Sequence, residues 1–245
     1  MDKVENIDLS NTMVSDISAL ENMRLLKKLQ LSGTKIRDIS ILSRLSNLEV
    51  IHLSSTEIMD ISPLSTLKSL KVLYLNHTKI NNIDALRSLS NLEELHLNGT
   101  HINSLSPISE LESLYHLDIS NTQIDECMIN KGFINLKKLS LGTHIKDVSF
   151  IKHLEKLEHL TMNGTPITDF NILKDLKSLN TISIDNVPAK NVEALSDIRT
   201  LKSISVMSGH GICKKDLLKL RLNNPMLSIS MSDLNQGWTQ KPGED

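Results

Sequence analysis

Residues 53–75 read LSSTEIMDISPLSTLKSLKVLYL, and their pattern of apolar residues returns along most of the chain. Written as a unit, the pattern is LxxLxLxxTxIxxIxxLxxLxx, which is 22 residues long. One threonine marks each unit: the series is Thr12, Thr34, Thr56, Thr78, Thr100 and Thr122, followed after one step of 21 by Thr143 and Thr165. A fixed period of this length indicates a protein built of stacked repeats.

The spacing of the apolar residues predicts the local structure of each unit. The LxL part alternates with period two, which predicts a short β-strand with one face buried. The remaining apolar residues fall every two or three places, a spacing suited to turns and short 3₁₀ segments. One unit cannot bury its own apolar face, so units stack and their strands align as a parallel sheet. We therefore predict an α/β solenoid, a right-handed horseshoe of about ten repeats with the sheet on its concave face.

Three repeat positions carry residues suited to a tight turn. The place before the threonine is mostly Gly or Asn, which predicts a positive φ; it holds Asn11, Gly33, Ser55, His77, Gly99, Asn121, Gly164 and Asn186. An aspartate four residues after the threonine is expected to cap the next turn; the aspartates are Asp16, Asp38, Asp60, Asp147 and Asp169. The threonine itself is expected to point inward, with its hydroxyl on backbone groups and its methyl in the core.

The unit in residues 53–75 resembles a leucine-rich repeat of the short class seen in bacterial internalins and in the leucine-rich regulatory subunit of protein phosphatase-1. The resemblance covers about residues 4–207 and is specific for the fold but only weakly specific for function. It departs from the family in one respect, because threonine stands where the family usually has asparagine. A looser resemblance is to trypanosomatid leucine-rich repeat proteins, which also carry threonine in such units.

The pattern divides the chain into three parts: a solenoid over 1–208, a C-terminal cap over 209–232, and a polar tail over 233–245 that we expect to be disordered. The cap is predicted to contain a helix over about 213–223 and a strand through Leu227, Ile229 and Met231. The helix residues expected to cover the last coil are Leu217, Leu218, Leu220 and Leu222. The N-terminal end shows no matching cap, so we expect further protein to precede or cover it.

One stretch of the solenoid is irregular. Cys127, Asn130 and Phe133 replace the usual apolar residues of their unit, and the next unit is one residue short. Together these changes predict a local bulge or bend near 125–145, with ordinary drift of the repeat as the alternative.

Composition excludes several classes of protein. A net charge of −2 without long runs of Lys or Arg argues against binding to nucleic acid or anionic membranes through charge. No apolar stretch approaches the roughly 18 residues of a membrane helix. Cys127 and Cys213 suggest no disulfide framework and are expected to be inert. No secretory signal is visible, so we expect a cytoplasmic or other reducing compartment unless a leader has been removed.

The outward-facing places of the strands, the third and fifth of each unit, are where this scaffold would carry function. Equivalent residues of neighbouring strands lie about 4.8 Å apart in such a sheet. These two columns are larger and more mixed in the middle, where Tyr74 offers an aromatic anchor for a partner. We predict a partner-binding site made of Val50, His52, Val72, Tyr74, Glu94, His96, His116, Asp118, Lys138 and His159.

The middle of these columns also suggests chemistry. Glu94, His96, His116 and Asp118 should form a two-by-two patch with a carboxylate beside each imidazole. Such a patch could bind a transition metal, or it could make partner binding depend on pH. The plainer interpretation is a set of solvated polar side chains, because an open sheet lacks the enclosed surroundings of a metal site. We therefore expect the site on the concave face to hold no metal or other cofactor.

No catalytic motif is present: the chain has no Gly-rich phosphate loop, no HExxH and no zinc-type spacing of Cys. We predict a monomeric, non-catalytic module that binds a protein on its concave face and binds neither nucleic acid nor membrane. Alternatives are a regulatory or targeting part of a larger enzyme, such as a phosphatase regulator or a ubiquitin-ligase substrate receptor, and an internalin-like surface adhesin. A hydrolase is least supported, because no nucleophile, base and enclosed pocket can be assembled.

Overall fold

The structure is a computed structural model that describes residues 3–124, 133–206, 212 and 214–231. Each LxL segment forms a short strand whose central apolar residue is buried or partly buried, as the alternation predicts. The strands are β1 (Asn6–Asp8), β2 (Lys28–Gln30), β3 (Val50–His52), β4 (Val72–Tyr74), β5 (Glu94–His96), β6 (His116–Asp118), β7 (Lys138–Ser140), β8 (His159–Thr161), β9 (Thr181–Ser183), β10 (Ser203–Val206) and β11 (Ser228–Met231).

These eleven strands form one parallel sheet in sequence order. Their register sets equivalent repeat positions side by side, so that Leu73 pairs with Leu95 and Leu95 with Leu117. The pairing continues through the irregular repeats, where His116 pairs with Lys138. Each place of the unit therefore becomes a column that runs along the sheet, and the predicted solenoid is confirmed.

Most coils return from one strand to the next through a 3₁₀ segment. These segments are Ser18–Leu20, Ser40–Arg44, Ser62–Thr66, Asp84–Leu86, Ser106–Ile108, Ser149–His153, Phe170–Leu173 and Val192–Asp197. Two of them carry proline in their first turn, where its fixed φ suits the helical start and its missing N–H is not needed. Leu64 and Leu86 on these segments are fully buried, so the return path packs on the same core as the strands.

The core is aliphatic and continuous from coil to coil. Leu73, Leu75 and Ile80 of one unit are all fully buried. Burying a side chain of this size contributes about 1.5–3 kcal/mol, and here the burial is supplied by the neighbouring coils. The first coil is the least covered of those described, since Ile7 and Leu9 are only partly buried.

The predicted turn chemistry is confirmed at nearly every unit. The Thr100 hydroxyl donates to the Leu97 carbonyl at 2.7 Å, and six more repeat threonines make the equivalent bond: Thr12, Thr34, Thr56, Thr78, Thr122 and Thr165. All eight residues predicted to have a positive φ have one, between 52° and 72°. All five predicted aspartates accept the N–H of the residue two places later at 2.8 Å.

Thr143 is the exception, and the prediction that it points inward is wrong. Its side chain is exposed, and a Cβ added to Gly164 would lie 2.9 Å from the Thr143 methyl carbon. In the same way, added Cβ atoms at Gly33 and Gly99 would meet Asn11 and His77, which occupy the positive-φ column. The residue missing from this 21-residue unit is thus the inward threonine itself, and Thr143 stacks in the column that normally precedes it.

The C-terminal cap contains helix α1 (Lys214–Asn223), which leads into β11 beside β10. Leu217 and Leu220 are buried as predicted, whereas Leu218 and Leu222 are 38% and 78% exposed, so the prediction for those two is wrong. The reason is the helix period: residues 217 and 220 lie on one face, and 218 and 222 lie together on another.

Several predictions concern residues outside the described ranges: the core position of Cys127, the cap position of Cys213, residues 125–132 of the predicted bulge near 125–145, and the tail 233–245. Phe133, at the edge of that stretch, is fully buried. Among the described residues, no helix has the length and apolar character needed to cross a membrane.

Candidate functional site

The ten residues predicted as a binding site all lie on the outward-facing ends of strands β3 to β8. Each three-residue strand buries its middle residue and turns its first and third towards the concave face, because side chains alternate along a strand. Nine of the ten are partly or fully buried by their neighbours on this face, and Lys138 is exposed. The pairing of Glu94 with His116 and of His96 with Asp118 confirms the register of the predicted two-by-two patch.

Four rings form a continuous row on this face, which we call the ring ladder: His52, Tyr74, His96 and His116. The ring centroids of His52 and Tyr74 are 4.4 Å apart, and those of Tyr74 and His96 are 4.1 Å apart with only 8° between the ring planes. His116 then meets His96 edge-on at 4.4 Å. The spacing of the first three rings follows from the sheet, because neighbouring parallel strands bring the equivalent residues His52, Tyr74 and His96 to stacking distance. His116 lies in the other column, in register with Glu94, and reaches His96 diagonally.

The Glu94 carboxylate lies between the last two rings of the ladder. Its Oε2 atom is 3.7 Å from His96 Nε2 and 3.5 Å from His116 Nδ1. Its other oxygen, Oε1, accepts a hydrogen bond from the Tyr115 hydroxyl. The carboxylate is therefore held on one side by Tyr115 and directed with its second oxygen towards both imidazoles.

His96 is the most deeply placed residue of the site. The residue is 8% exposed, and its Nε2 atom is fully buried without a hydrogen-bond partner. In the part of the chain that the structure describes, Glu94, His96 and His116 are the one group of three metal-ligating side chains that come together, with ligand atoms within 4.8 Å of one another.

The register places one carboxylate beside each imidazole as predicted, but the two carboxylates differ in their contacts. Glu94 lies near both rings, whereas Asp118 Oδ1 accepts hydrogen bonds from the backbone N–H of Ser120, at 3.0 Å, and from the Ser120 hydroxyl. A serine two residues after the aspartate offers it a closed local turn, which competes with contact across the sheet.

Matches to known proteins agree with this architecture. Residues 46–88 and 90–131 match the family model of leucine-rich repeats in two copies. The structure of an internalin (InlF) from Listeria monocytogenes is similar with a TM-score of 0.82 and 26% identity, over 93% of this chain and 68% of that one. The fold of the chain is a leucine-rich repeat solenoid.

Other leucine-rich repeat structures are similar over shorter or more distant matches. Internalin C2 from Listeria monocytogenes has a TM-score of 0.61 at 25% identity, over 83% of this chain and 80% of that one. The plant peptide hormone receptor RGFR1, solved in complex with RGF2, has a TM-score of 0.62 at 14% identity, over 92% of this chain and 47% of that one. The last likeness concerns the fold alone. No curated protein matches the chain by sequence.

The electrostatics of the site follow from partial burial. Burial lowers the pKa of His96, His116 and His52 below the usual value, and at His96 the neighbouring His116 adds to the effect. Burial alone would raise the pKa of Glu94, but the hydrogen bond from Tyr115 and the nearby imidazoles outweigh it, and its pKa is lowered. At neutral pH the site therefore holds uncharged imidazoles around an ionised carboxylate.

Tyr115 is the residue that the sequence prediction missed. It stands immediately before β6, outside the two columns, and yet its hydroxyl orients Glu94. Its hydrogen bond to that carboxylate raises the pKa of Tyr115 to about 12, which keeps the hydroxyl a donor at neutral pH. The sequence offered one indication of its role, which is its residue type: Tyr74 and Tyr115 are the only two tyrosines, and both fall in the middle repeats.

Lys138 and His159 continue the column of His116 beyond the ring ladder. Lys138 pairs in register with His116, and His159 with Lys138. His159 therefore lies two strands from His116, or roughly 9.6 Å at the usual strand spacing. The ladder and these two residues are parts of one face, but the dense contacts end at His116.

Proposed function

We propose that this leucine-rich repeat protein is a non-catalytic recognition module that binds a protein partner on its concave face, with the ring ladder at the centre of the contact. The observation that carries the proposal is the ladder itself. Four stacked or edge-on rings stand in a row on an open sheet. Towards the C-terminal strands, the outward-facing residues of the same sheet are mostly small or polar.

The ladder has the properties of a binding hot spot. Rings that already stack on one another lose little conformational freedom when a partner covers them, so more of the contact energy remains for binding. Tyr74 supplies a half-buried aromatic anchor with a neighbour on each side, and aromatic residues at the centre of an interface carry a large share of affinity. Val50 and Val72 extend the apolar area beside it.

The fold also accommodates partners in related structures. The receptor RGFR1 shares this fold and was solved in complex with RGF2. Because a likeness at that identity extends to the fold alone, the support for a partner of this chain comes from the residues on its own concave face.

The test begins with capture of partners from an extract of the source cells on immobilised chain, followed by identification and purification of a captured protein. Calorimetric titration then compares the wild type with Tyr74→Ala and with His153→Ala. His153 lies exposed on a 3₁₀ segment away from the sheet and serves as the matched control.

We expect Tyr74→Ala to weaken binding at least tenfold, as removal of a central aromatic anchor does, and His153→Ala to leave the affinity unchanged. Far-UV circular dichroism checks that both variants keep the fold. Equal affinity of the partner for the wild type and for folded Tyr74→Ala would show that the ladder is not the contact.

A further inference from the structure

Three side chains of the concave face point ligand atoms at one another across distances that are long for hydrogen bonds. Glu94 Oε2, His96 Nε2 and His116 Nδ1 come within 4.8 Å of one another, and the two distances from Glu94 are 3.7 Å and 3.5 Å. Hydrogen bonds of this type are about 2.7–3.2 Å long, so these separations are too long for good bonds. The buried Nε2 of His96 is left without a partner, which is unfavourable for a polar atom removed from water.

We propose that Glu94, His96 and His116 form a binding site for a divalent transition metal ion of the Zn²⁺ type, with Glu94 Oε2, His96 Nε2 and His116 Nδ1 as its three protein ligands. The fourth coordination position faces the open side of the concave face. There it accepts water or a donor atom of a partner.

The spacing of the ligand atoms fits such an ion. With metal–ligand bonds of about 2.0–2.1 Å, the ligand atoms of a tetrahedral zinc site lie about 3.3 Å apart. The two distances from Glu94 are slightly longer than this edge, and all three ligand atoms lie within 4.8 Å of one another. Rotations of the imidazoles towards the carboxylate and towards each other would close the site. Two imidazoles and one carboxylate are also a ligand set that zinc uses in sites with one open position.

The surroundings hold the ligands in place. The Tyr115 hydroxyl bonds Oε1 of Glu94 and leaves Oε2 as the free ligand atom, which is the kind of support that metal-binding carboxylates have in proteins. His96 is fixed between Tyr74, which stacks on it, and His116, which meets its ring edge-on. Partial burial also keeps both imidazoles in the uncharged form that binds metals.

The charges near the site are compatible with a cation. Glu94 is a ligand, and Asp118 lies next to His96 in register. Lys138 lies next to His116 on the other side and is the one positive charge in direct register with the patch. Two carboxylates therefore outweigh one ammonium group around the proposed ion.

The proposal goes beyond the recognition function and does not depend on it, because it is tested with metal alone. The purified full chain is freed of metal with a chelator and titrated with ZnCl₂ by calorimetry. The variants are Glu94→Gln, which keeps the shape of the side chain, His116→Ala, Tyr115→Phe, and the control His101→Ala, which removes an exposed histidine of the same repeat. Far-UV circular dichroism verifies the fold of each, and Co²⁺ absorption reports the coordination geometry.

We expect saturable one-to-one zinc binding by the wild type and by His101→Ala, with tetrahedral-type Co²⁺ bands in both. Glu94→Gln and His116→Ala should weaken zinc binding at least tenfold, and Tyr115→Phe by about tenfold, as loss of a supporting bond does. Wild-type protein without saturable one-to-one binding, or folded Glu94→Gln that binds as the wild type does, would overturn the proposal. Unchanged affinity of Tyr115→Phe would overturn the positioning role of Tyr115.

Discussion

Replacing the inward threonine of a middle repeat by valine, Thr100→Val, tests the account of how each coil turns. The Thr100 side chain is 3% exposed, and its hydroxyl donates to the Leu97 carbonyl at 2.7 Å. Valine has nearly the same shape, so the change removes the donor without opening a cavity. The Leu97 carbonyl keeps one weaker partner, the Thr100 backbone N–H at 3.2 Å.

The expected magnitude follows from that remaining partner. Loss of a typical internal hydrogen bond lowers the free energy of unfolding by about 0.5–1.5 kcal/mol, and a carbonyl left wholly unpaired costs about 1–3 kcal/mol. Because the carbonyl keeps its backbone partner, we expect a loss of about 1 kcal/mol. Thr66→Val is the matched control, since Thr66 is exposed and bonds the Ser43 carbonyl at 3.2 Å; its effect should stay within about 0.5 kcal/mol.

The assay is urea unfolding followed by far-UV circular dichroism, with the midpoint and slope compared between variants. Thr100→Ser should also be destabilised, by about 1 kcal/mol, because it keeps the hydrogen bond but loses a buried methyl group. If Thr100→Val were as stable as Thr66→Val, the inward hydroxyl would contribute nothing to the turn, and the reason given for threonine in this repeat would be refuted.

Three further predictions concern other parts of the molecule. Gly99→Ala should destabilise the protein by about 1 kcal/mol or more, because φ is +69° there and the new Cβ would lie 2.5 Å from His77 Nδ1; a urea midpoint equal to that of the wild type would contradict this. In the cap, Leu220→Ala should lose about 2–5 kcal/mol and Leu222→Ala less than about 0.5 kcal/mol, since the first side chain is buried and the second 78% exposed; equal losses in urea unfolding would count against the cap. His96 in the metal-free chain is buried and has a folded pKa below the usual 6.5. The unfolded state therefore binds more protons as pH falls below about 6.5, and stability is lost there. His96→Phe should flatten this dependence between about pH 8 and pH 5.5, and an unchanged slope would argue against it.

The sequence was sufficient to predict most of the fold because each repeat position has a local cause. The LxL alternation predicts the strand, the Gly or Asn predicts the positive φ, and the Asp that accepts the N–H two places later predicts the turn. The prediction failed where it relied on a count of apolar residues. Leu218 and Leu222 were expected to cover the last coil, but the helix period places them on the exposed side of the cap helix. The prediction that Thr143 points inward failed for another reason. The unit is one residue short, and the sequence does not show which of its positions is missing.

The candidate site was predictable as a set of columns but not as a set of contacts. The register follows from the period, and it already places His52, Tyr74 and His96 side by side. The direction of each side chain does not follow from it. The Asp118 carboxylate accepts hydrogen bonds from the nearby Ser120, and Tyr115 reaches Glu94 from outside the columns. Both outcomes depend on side-chain competition that the repeat pattern does not encode.

The most direct test of the central claim, that the ring ladder is the recognition surface, is a histidine footprint of the chain with its purified partner. Diethyl pyrocarbonate labels accessible imidazoles, and mass spectrometry measures the extent of labelling at each one, with and without the partner. His52 and His116 lie on the ladder, while His101 and His153 are exposed outside it. The partner should lower the labelling of His52 and His116 and leave that of His101 and His153 unchanged. Unchanged labelling of His52 and His116 in a saturated complex would contradict it.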